Sequence, residues 1–267
     1  MKKGASHQIW VICHLAWIWW LAPFSFSSAA DLLTVAGPGL GTTYRVTLGG
    51  DIPGLTRGEV HREVEDVLAR IDRALSTWRD DADASRFNRA PAGEWVAVAP
   101  DLLAVVAIAR RVHADTGGAF DITTAPGAVA GMHLVESREQ PPALRKARDH
   151  VALDLGGIGP GYAVDAIGAR LVAIGSANHL VELGGEVRAW GAPPSGGRWR
   201  VAIRGTSDVW QLAPGEAVAT STARAGRSPV DPRTGKVVAP RSPTATVRAE
   251  TCAEADARAV ARLVGGP

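Results

Sequence analysis

Apolar residues recur at Val60, Val64, Val67, Leu68, Ile71 and Leu75, three or four apart, which predicts an amphipathic helix over residues 59–75. A second series, Leu102, Val105, Val106, Ala109 and Val112, starts at Pro100-Asp101 and ends at Thr116-Gly117-Gly118. Proline at a helix start and glycine beyond its end mark the bounds of a second helix. From Gly161 to Ile174 the chain is apolar on nearly every side, so a buried helix is expected there, and residues 253–264 read as a final helix. Alternating or β-branched runs predict strands at residues 42–48, 95–98, 179–183, 186–190, 198–204, 216–219 and 244–248. Gly184-Gly185 separates two of these as in a hairpin. Residues 76–92 and 120–142 carry no period and read as loops. Helices mixed with several hairpins suit an α+β fold of mixed or antiparallel sheets better than a doubly wound sheet. No internal repeat is visible.

The first thirty residues have a different character. Lys2 and Lys3 precede an apolar stretch from Ile9 to Leu21, and Ser28-Ala29-Ala30 offers small residues to a signal peptidase. Residues 1–30 are therefore expected to be a cleaved signal peptide, and 31–267 the mature domain. A retained anchor is the alternative, although the stretch is short for a span and is interrupted by His14. Cys13 lies in no lipoprotein-type pattern. Cleavage would change the composition in three ways. The formal charge falls from +2 to zero, with 27 basic and 27 acidic residues, so the basic balance gives no argument for nucleic acid. Trp10, Trp17, Trp19 and Trp20 leave, and Cys252 remains alone, which excludes an intramolecular disulfide.

The densest chemistry lies in residues 154–165, Asp-Leu-Gly-Gly-Ile-Gly-Pro-Gly-Tyr-Ala-Val-Asp. Glycine has no Cβ, so a ligand can rest directly on such a backbone. The helix that follows offers unpaired N-terminal amides to a phosphate or a metal-bound phosphate. Two familiar phosphate loops do not match. A dinucleotide fingerprint read from Gly159 meets Val164 at its last glycine, and a P-loop read back from Gly235-Lys236 meets Val230 at its first. An ordinary strand-to-helix turn is the other reading of these glycines.

Further segments fall in a recognisable order. They are Gly39-Leu-Gly-Thr-Thr-Tyr44, Leu75-Ser-Thr-Trp-Arg-Asp80 with Ser85-Arg-Phe-Asn88, Thr116-Gly-Gly-Ala-Phe-Asp-Ile-Thr123, and Val181-Glu-Leu-Gly-Gly-Glu186. Ala219-Thr-Ser221, Val230-Asp-Pro-Arg-Thr-Gly235 and Ala255-Asp-Ala257 complete the series. Together with residues 154–165 they resemble the ApbE family of FAD:protein FMN transferases, over roughly residues 35–264. The resemblance implies an ApbE-like, T-fold-like domain and a periplasmic enzyme that takes FAD and Mg2+. Such an enzyme moves FMN onto a Thr or Ser hydroxyl of a periplasmic or membrane-associated flavoprotein and releases AMP. It also implies FAD contacts at Leu40, Trp78, Ala119, Phe120, Asp121, Asp154 and Pro160, and a metal held by Gly157 and Asp256. Trp78 could stack on a flavin or adenine ring, or be a half-buried plug. Asp121 and Asp154 could accept from the nucleotide, or cap turns. Asp256 could ligate the metal, or be a solvated helix residue beside Arg258 and Arg262.

Several positions depart from the family pattern. Ser228 stands where the family has a histidine, three residues before Asp231, and is too weak an acid or base to replace imidazole. Val260 stands at the position of a Thr metal ligand and has no ligand atom. Gly159-Pro160 replaces an Ala-Lys pair, and Thr222 a glycine. These departures keep two further readings open: a catalytically degenerate flavin-binding protein, and an FAD pyrophosphatase. His61, His113, His133, His150 and His179 show no metal-motif spacing; His61 and His113 are expected to be solvated or packed on their helices.

Overall fold

The first apolar alternation opens a hairpin, β1 (Leu33–Gly39) with β2 (Thr42–Leu48), paired antiparallel from Leu33 opposite Leu48 to Gly39 opposite Thr42. Tyr44, Val46 and Leu48 point inward while Thr43 and Arg45 face solvent. The computed structural model describes residues 32–124, 130–203, 205–223, 229–240 and 242–267. The expected signal peptide therefore lies outside the described residues. Helix α1 (Arg57–Leu75) begins with a capping box: Glu59 N donates to Thr56 Oγ1 at 3.3 Å, and Thr56 N to Glu59 Oε2 at 2.8 Å. The chain continues through α2 (Asp83–Arg89), β3 (Val96–Ala97) and α3 (Pro100–Asp115). A 3-10 turn (Met132–Leu134) leads to β4 (Val135–Arg138) and β5 (Ala143–Lys146). Then come α4 (Gly159–Ala173), β6 (His179–Leu183), β7 (Glu186–Trp190), β8 (Trp199–Ala202) and β9 (Val209–Leu212). The last elements are β10 (Ala217–Thr222), β11 (Val230–Asp231), β12 (Lys236–Val237), β13 (Thr244–Ala249) and α5 (Cys252–Leu263).

Six strands form one antiparallel sheet in the order β1-β2-β6-β7-β10-β13. Helices α1, α4 and α5 pack on one face of it, and α3 packs in turn against α1 and α5. The other face carries the β8–β9 hairpin over a small cluster of Val187, Ala189, Trp199, Ile203, Leu212 and Val218. The main core lies between sheet and helices and runs from Val35 to Val264. Each of its fully enclosed aliphatic side chains, such as Val46, Leu48, Ile167 and Leu183, contributes about 1.5–3 kcal/mol of transfer free energy. The strand period of two puts Glu186, Arg188 and Trp190 on the helix face of β7, and Val187 and Ala189 on the other. Two charged groups therefore enter the layer between β7 and helices α4 and α5. None of the helices among the described residues is long and apolar enough to cross a membrane.

The α+β expectation holds, and the four periodic helices lie within two residues of their predicted bounds. Two loop expectations do not hold. Residues 76–92 contain α2, and residues 120–142 contain the 3-10 turn and β4, which pairs with β5 in a three-stranded sheet β3-β5-β4. Strands β1, β5, β9, β11 and β12 also go beyond the sequence reading. β1 holds Pro38 between two glycines, which an edge strand tolerates because one side needs no donor.

Candidate functional site

The glycine turn is fixed from several directions before any ligand arrives. Asn88 clamps Leu153, accepting from its N–H at 2.7 Å and donating to its carbonyl at 3.0 Å. Asp154 N donates to Ile122 O at 2.6 Å, and Asp154 Oδ1 accepts from Gly156 N at 2.9 Å. That second bond is an Asx turn, the capping use of this aspartate. Gly157 lies against α5: a Cβ there would stand 2.7 Å from Val260 Cγ2 and 3.7 Å from the Phe120 ring. A Cβ on Gly161 would stand 2.4 Å from the carbonyl oxygen of Cys252. Both glycines are thus demanded by the close approach of α5.

Helices α4 and α5 exchange carboxylates. Asp256 of α5 accepts from Gly161 N of α4 at 3.2 Å, and Asp165 of α4 accepts from Cys252 N and Ala253 N of α5 at 2.9 and 3.0 Å. Each side chain satisfies amides that a helix N-terminus leaves open. Asp165 also pairs with Arg188 Nη1 at 2.7 Å. Burial pushes the Asp165 carboxyl up, and the amides of Ala253 and Cys252 together with Arg188 oppose the shift. Asp256 is 3% exposed, so it is not the solvated helix residue that Arg258 and Arg262 suggest. Burial drives its carboxyl well above the usual carboxylate range, the nearby charge of Glu186 adds to this, and the Gly161 amide acts against it.

The segment after α3 forms the second wall. Thr116 Oγ1 accepts from Phe120 N at 3.2 Å. Asp121 is buried and accepts from Thr123 N at 2.7 Å, Thr123 Oγ1 at 2.6 Å and Met132 N at 3.4 Å. Its carboxylate organises its own loop. His113, at the end of α3, places Nδ1 2.9 Å from Phe120 O and 3.2 Å from Asp121 Oδ2. His113 is therefore part of this wall, beyond the solvated or packed role that its helix position suggests. Asp231 holds Arg233 through Nε at 2.8 Å and Nη2 at 2.9 Å, and Arg233 Nη2 also donates to Val264 O at 3.2 Å. The Arg233 guanidinium keeps the Asp231 carboxyl below the usual carboxylate range. A Cβ on Gly118 would lie 3.4 Å from Arg233 Cγ and 3.6 Å from His113 Cε1, so the turn after β11 meets the turn after α3.

The remaining expected residues lie around this centre. Leu40 takes a left-handed backbone (φ 48°) at the β1–β2 turn, and a Cβ on the preceding Gly39 would lie 2.9 Å from Leu68 of α1. Leu75, at the end of α1, comes within 3.8 Å of the Cβ position of Gly159. Trp78 follows three residues later and is 88% exposed, which rules out a half-buried plug. Its turn is braced by Ser76 Oγ, which accepts from Trp78 N and Arg79 N, and by Arg79 paired with Asp81 and Asp72. Pro160 sits in the first turn of α4, where its missing N–H costs nothing. Ala119 and Phe120 are buried. Ser228 lies outside the described residues. Two surface cavities, about 440 Å³ beside Trp95 and about 210 Å³ under β8–β9, lie apart from the glycine turn. The geometry favours the turn as the site, because the first cavity is lined by Arg86 and Arg89, which are paired with Asp83 and Asp80.

Phe120, Asp121, Asp154, Gly157, Asp256 and Val260 are thus assembled in one neighbourhood, with Asp231 joined to it through Arg233. Trp78 and Leu40 stand at the flank formed by α1. Sequence reasoning missed His113, Arg233 and Glu186. Their signals were present but faint: a histidine three residues before Thr116, an arginine inside Asp-Pro-Arg-Thr-Gly, and an inward strand position occupied by an acid. Among the described residues, no group of three or more His, Cys, Asp or Glu side chains could hold a metal. Magnesium commonly combines one or two carboxylates with waters and substrate phosphates. Asp256 offers the carboxylate and the bare turn offers main-chain oxygen, whereas Val260 presents a methyl group to Gly157. These residues fit a cation only if phosphate and water complete most of its shell.

Comparison with known proteins gives matches along nearly the whole of the described chain. The model of the ApbE family matches residues 40–267. An FAD:protein FMN transferase of Vibrio cholerae serotype O1 is 29% identical over 89% of this chain and 82% of its own length. One of Chlamydia trachomatis is 29% identical over 90% of this chain and 87% of its own. Among solved structures, the apo form of Pseudomonas stutzeri flavinyl transferase ApbE superposes with a TM-score of 0.80. It is 31% identical and covers 90% of this chain and 87% of its own. Flavin transferase ApbE from Vibrio cholerae gives a TM-score of 0.77 at 27% identity, over 87% of this chain and 86% of its own.

Proposed function

The chain belongs to the ApbE family, and from that premise we propose that it is an FAD:protein FMN transferase acting on a flavoprotein. The observation that carries the reading is the junction of the Gly157–Gly161 turn with Asp256 of α5 and the Phe120 loop. In this reading FAD lies on the bare turn, with Phe120 and Ala119 behind it and Trp78 as an outer stacking face. The first amides of α4 do not serve the diphosphate as the sequence suggests, because Gly159 N donates to Leu155 O, Gly161 N donates to Asp256 and Pro160 has none. A Thr or Ser hydroxyl of the acceptor attacks the phosphorus on the FMN side, and AMP departs. Mg2+ held by Asp256 and the Gly157 main chain, with Val260 contributing no ligand, would neutralise diphosphate charge. The protein's own residues fix the turn and keep the reacting groups in line. The signal-like N-terminal segment supports a periplasmic location and a periplasmic or membrane-associated acceptor.

The test uses the chain from Asp31 with FAD, Mg2+ and acceptor domains bearing a Thr or Ser flavinylation site. The expected result is an acceptor heavier by one FMN, with AMP formed in equal amount. An acceptor that stays unmodified while a catalytically competent relative modifies it would refute transfer. The Val260 methyl packed on Gly157 favours a second reading, a flavin-binding protein without turnover. It predicts FAD retention with little dependence on Mg2+. A pyrophosphatase is separated from both by AMP released without any acceptor.

A further inference from the structure

The transfer proposed above requires a group that takes the proton from the incoming hydroxyl, and the inference below rests on that reading. The geometry points to His113 Nε2 as this proton acceptor. Phe120 O can only accept a hydrogen bond, so His113 Nδ1, 2.9 Å away, carries the ring proton. In the neutral imidazole Nε2 then holds the lone pair, and the tautomer is fixed by the loop itself. Asp121 Oδ2, 3.2 Å from the same Nδ1, is positioned to stabilise the imidazolium that forms when Nε2 takes a proton. The Asp121 side chain is 1% exposed and is anchored by Thr123 and Met132, so it cannot swing away.

The other edge of the ring is open. The His113 side chain is 36% exposed, and Nε2 makes no hydrogen bond among the described residues. Gly118, in the left-handed region at φ 79°, lies beside it: a Cβ there would be 3.9 Å from Nε2 and 3.4 Å from the Arg233 stem. The Nε and Nη2 atoms of Arg233 are committed to Asp231 and Val264 O, while Nη1 makes no hydrogen bond among the described residues. A base and a cation thus flank one stretch of bare backbone. The residue whose carbonyl orients His113 sends its ring to the Gly157 turn, which ties this pair to the proposed flavin bed. The other charged groups nearby are already paired: Asp231 with Arg233, Asp115 with Arg258, and Arg111 with Glu254.

Nε2 takes the hydroxyl proton while the acceptor oxygen bonds to the FMN-side phosphorus. The bond from that phosphorus to the bridging oxygen breaks, and its electron pair leaves on AMP. The imidazolium then returns its proton to AMP phosphate or to water. A base so placed contributes roughly 10²–10⁴ in rate.

A tethering role for His113 is separable, because Asn places an amide N–H near the Nδ1 position and supplies no base. The experiment compares wild type, His113→Asn and His113→Gln with FAD, Mg2+ and an acceptor domain. It follows FMN transfer against pH, FAD binding by flavin fluorescence, and melting temperature. The expected outcome is FAD affinity and melting temperature near wild type in H113N, a kcat about 10²–10⁴ lower, and loss of the wild-type acid limb. H113N with normal kcat and an intact acid limb overturns the proposal, as does a parallel loss of FAD binding and turnover that H113Q does not share. A wild-type chain that binds FAD but flavinylates no acceptor refutes the transferase reading itself.

Discussion

At the scale of single residues, Val260 is the sharpest departure, because one branched side chain decides how many oxygens face the turn. It lies four residues after Asp256, hence one helical turn away on the same face of α5, and its methyl touches the bare side of Gly157. Val260→Thr keeps the shape and adds a hydroxyl. We expect the Mg2+ needed for half-maximal thermal stabilisation in the presence of FAD to fall by on the order of tenfold, the usual weight of one supporting contact at a metal site. An unchanged Mg2+ titration would place position 260 off the cation's shell. Asp256 illustrates why such a residue is only half legible in a sequence. Its identity follows from the family likeness, but its burial does not. Cys252, Ala253, Ala255, Ala257, Ala259 and Ala261 let α5 settle close to the sheet, and that closeness encloses the carboxylate. Arg258 and Arg262, beside it in the sequence, point to solvent exposure and mislead.

At the scale of elements, the α4–α5 contact controls the site. Gly161→Ala would drive a methyl to 2.4 Å from the Cys252 carbonyl, a backbone atom that cannot rotate aside. We expect a loss of about 3 kcal/mol, at the upper end for overpacking, read as a lower urea midpoint, with FAD binding lost in step. Wild-type stability in G161A would mean that the helices can separate without cost. The periodic helices were legible because their apolar stripes face a core. Helix α2 was not, because its seven residues are held by tertiary bonds: Asp83 Oδ2 accepts from Ala99 N at 2.5 Å, and Asn88 clamps Leu153. β4 and β5 were missed for a related reason. Four-residue strands with exposed charges, such as Glu136 paired with Arg145, carry too little apolar pattern to stand out.

At the scale of the molecule, the turn of residues 154–161, the loop at 113–121, the hairpin at 231–233 and the helix at 256–260 meet only through the fold, and no local spacing announces that meeting. Whole-molecule stability should also respond to pH through His179, which is fully buried, stacks on Trp190 at 4.7 Å and leaves Nε2 without a partner. Burial lowers its pKa from 6.5 to about 4, against hydrogen bonds that act the other way. The unfolded chain therefore binds this proton first as pH falls. The stabilisation is complete above pH 6.5 and is lost progressively toward pH 4, by on the order of 3 kcal/mol. His179→Phe should flatten urea midpoints over that window; an unaltered slope would refute the assignment. The mutual capping of α4 by Asp256 and of α5 by Asp165 has a practical corollary. Residues 154–165 cannot be transplanted as a portable cassette into a foreign scaffold, because half of what shapes them arrives from a helix some ninety positions downstream. Substitutions at the two aspartates should likewise be interdependent, so libraries that randomise one while freezing the other will sample mostly broken variants.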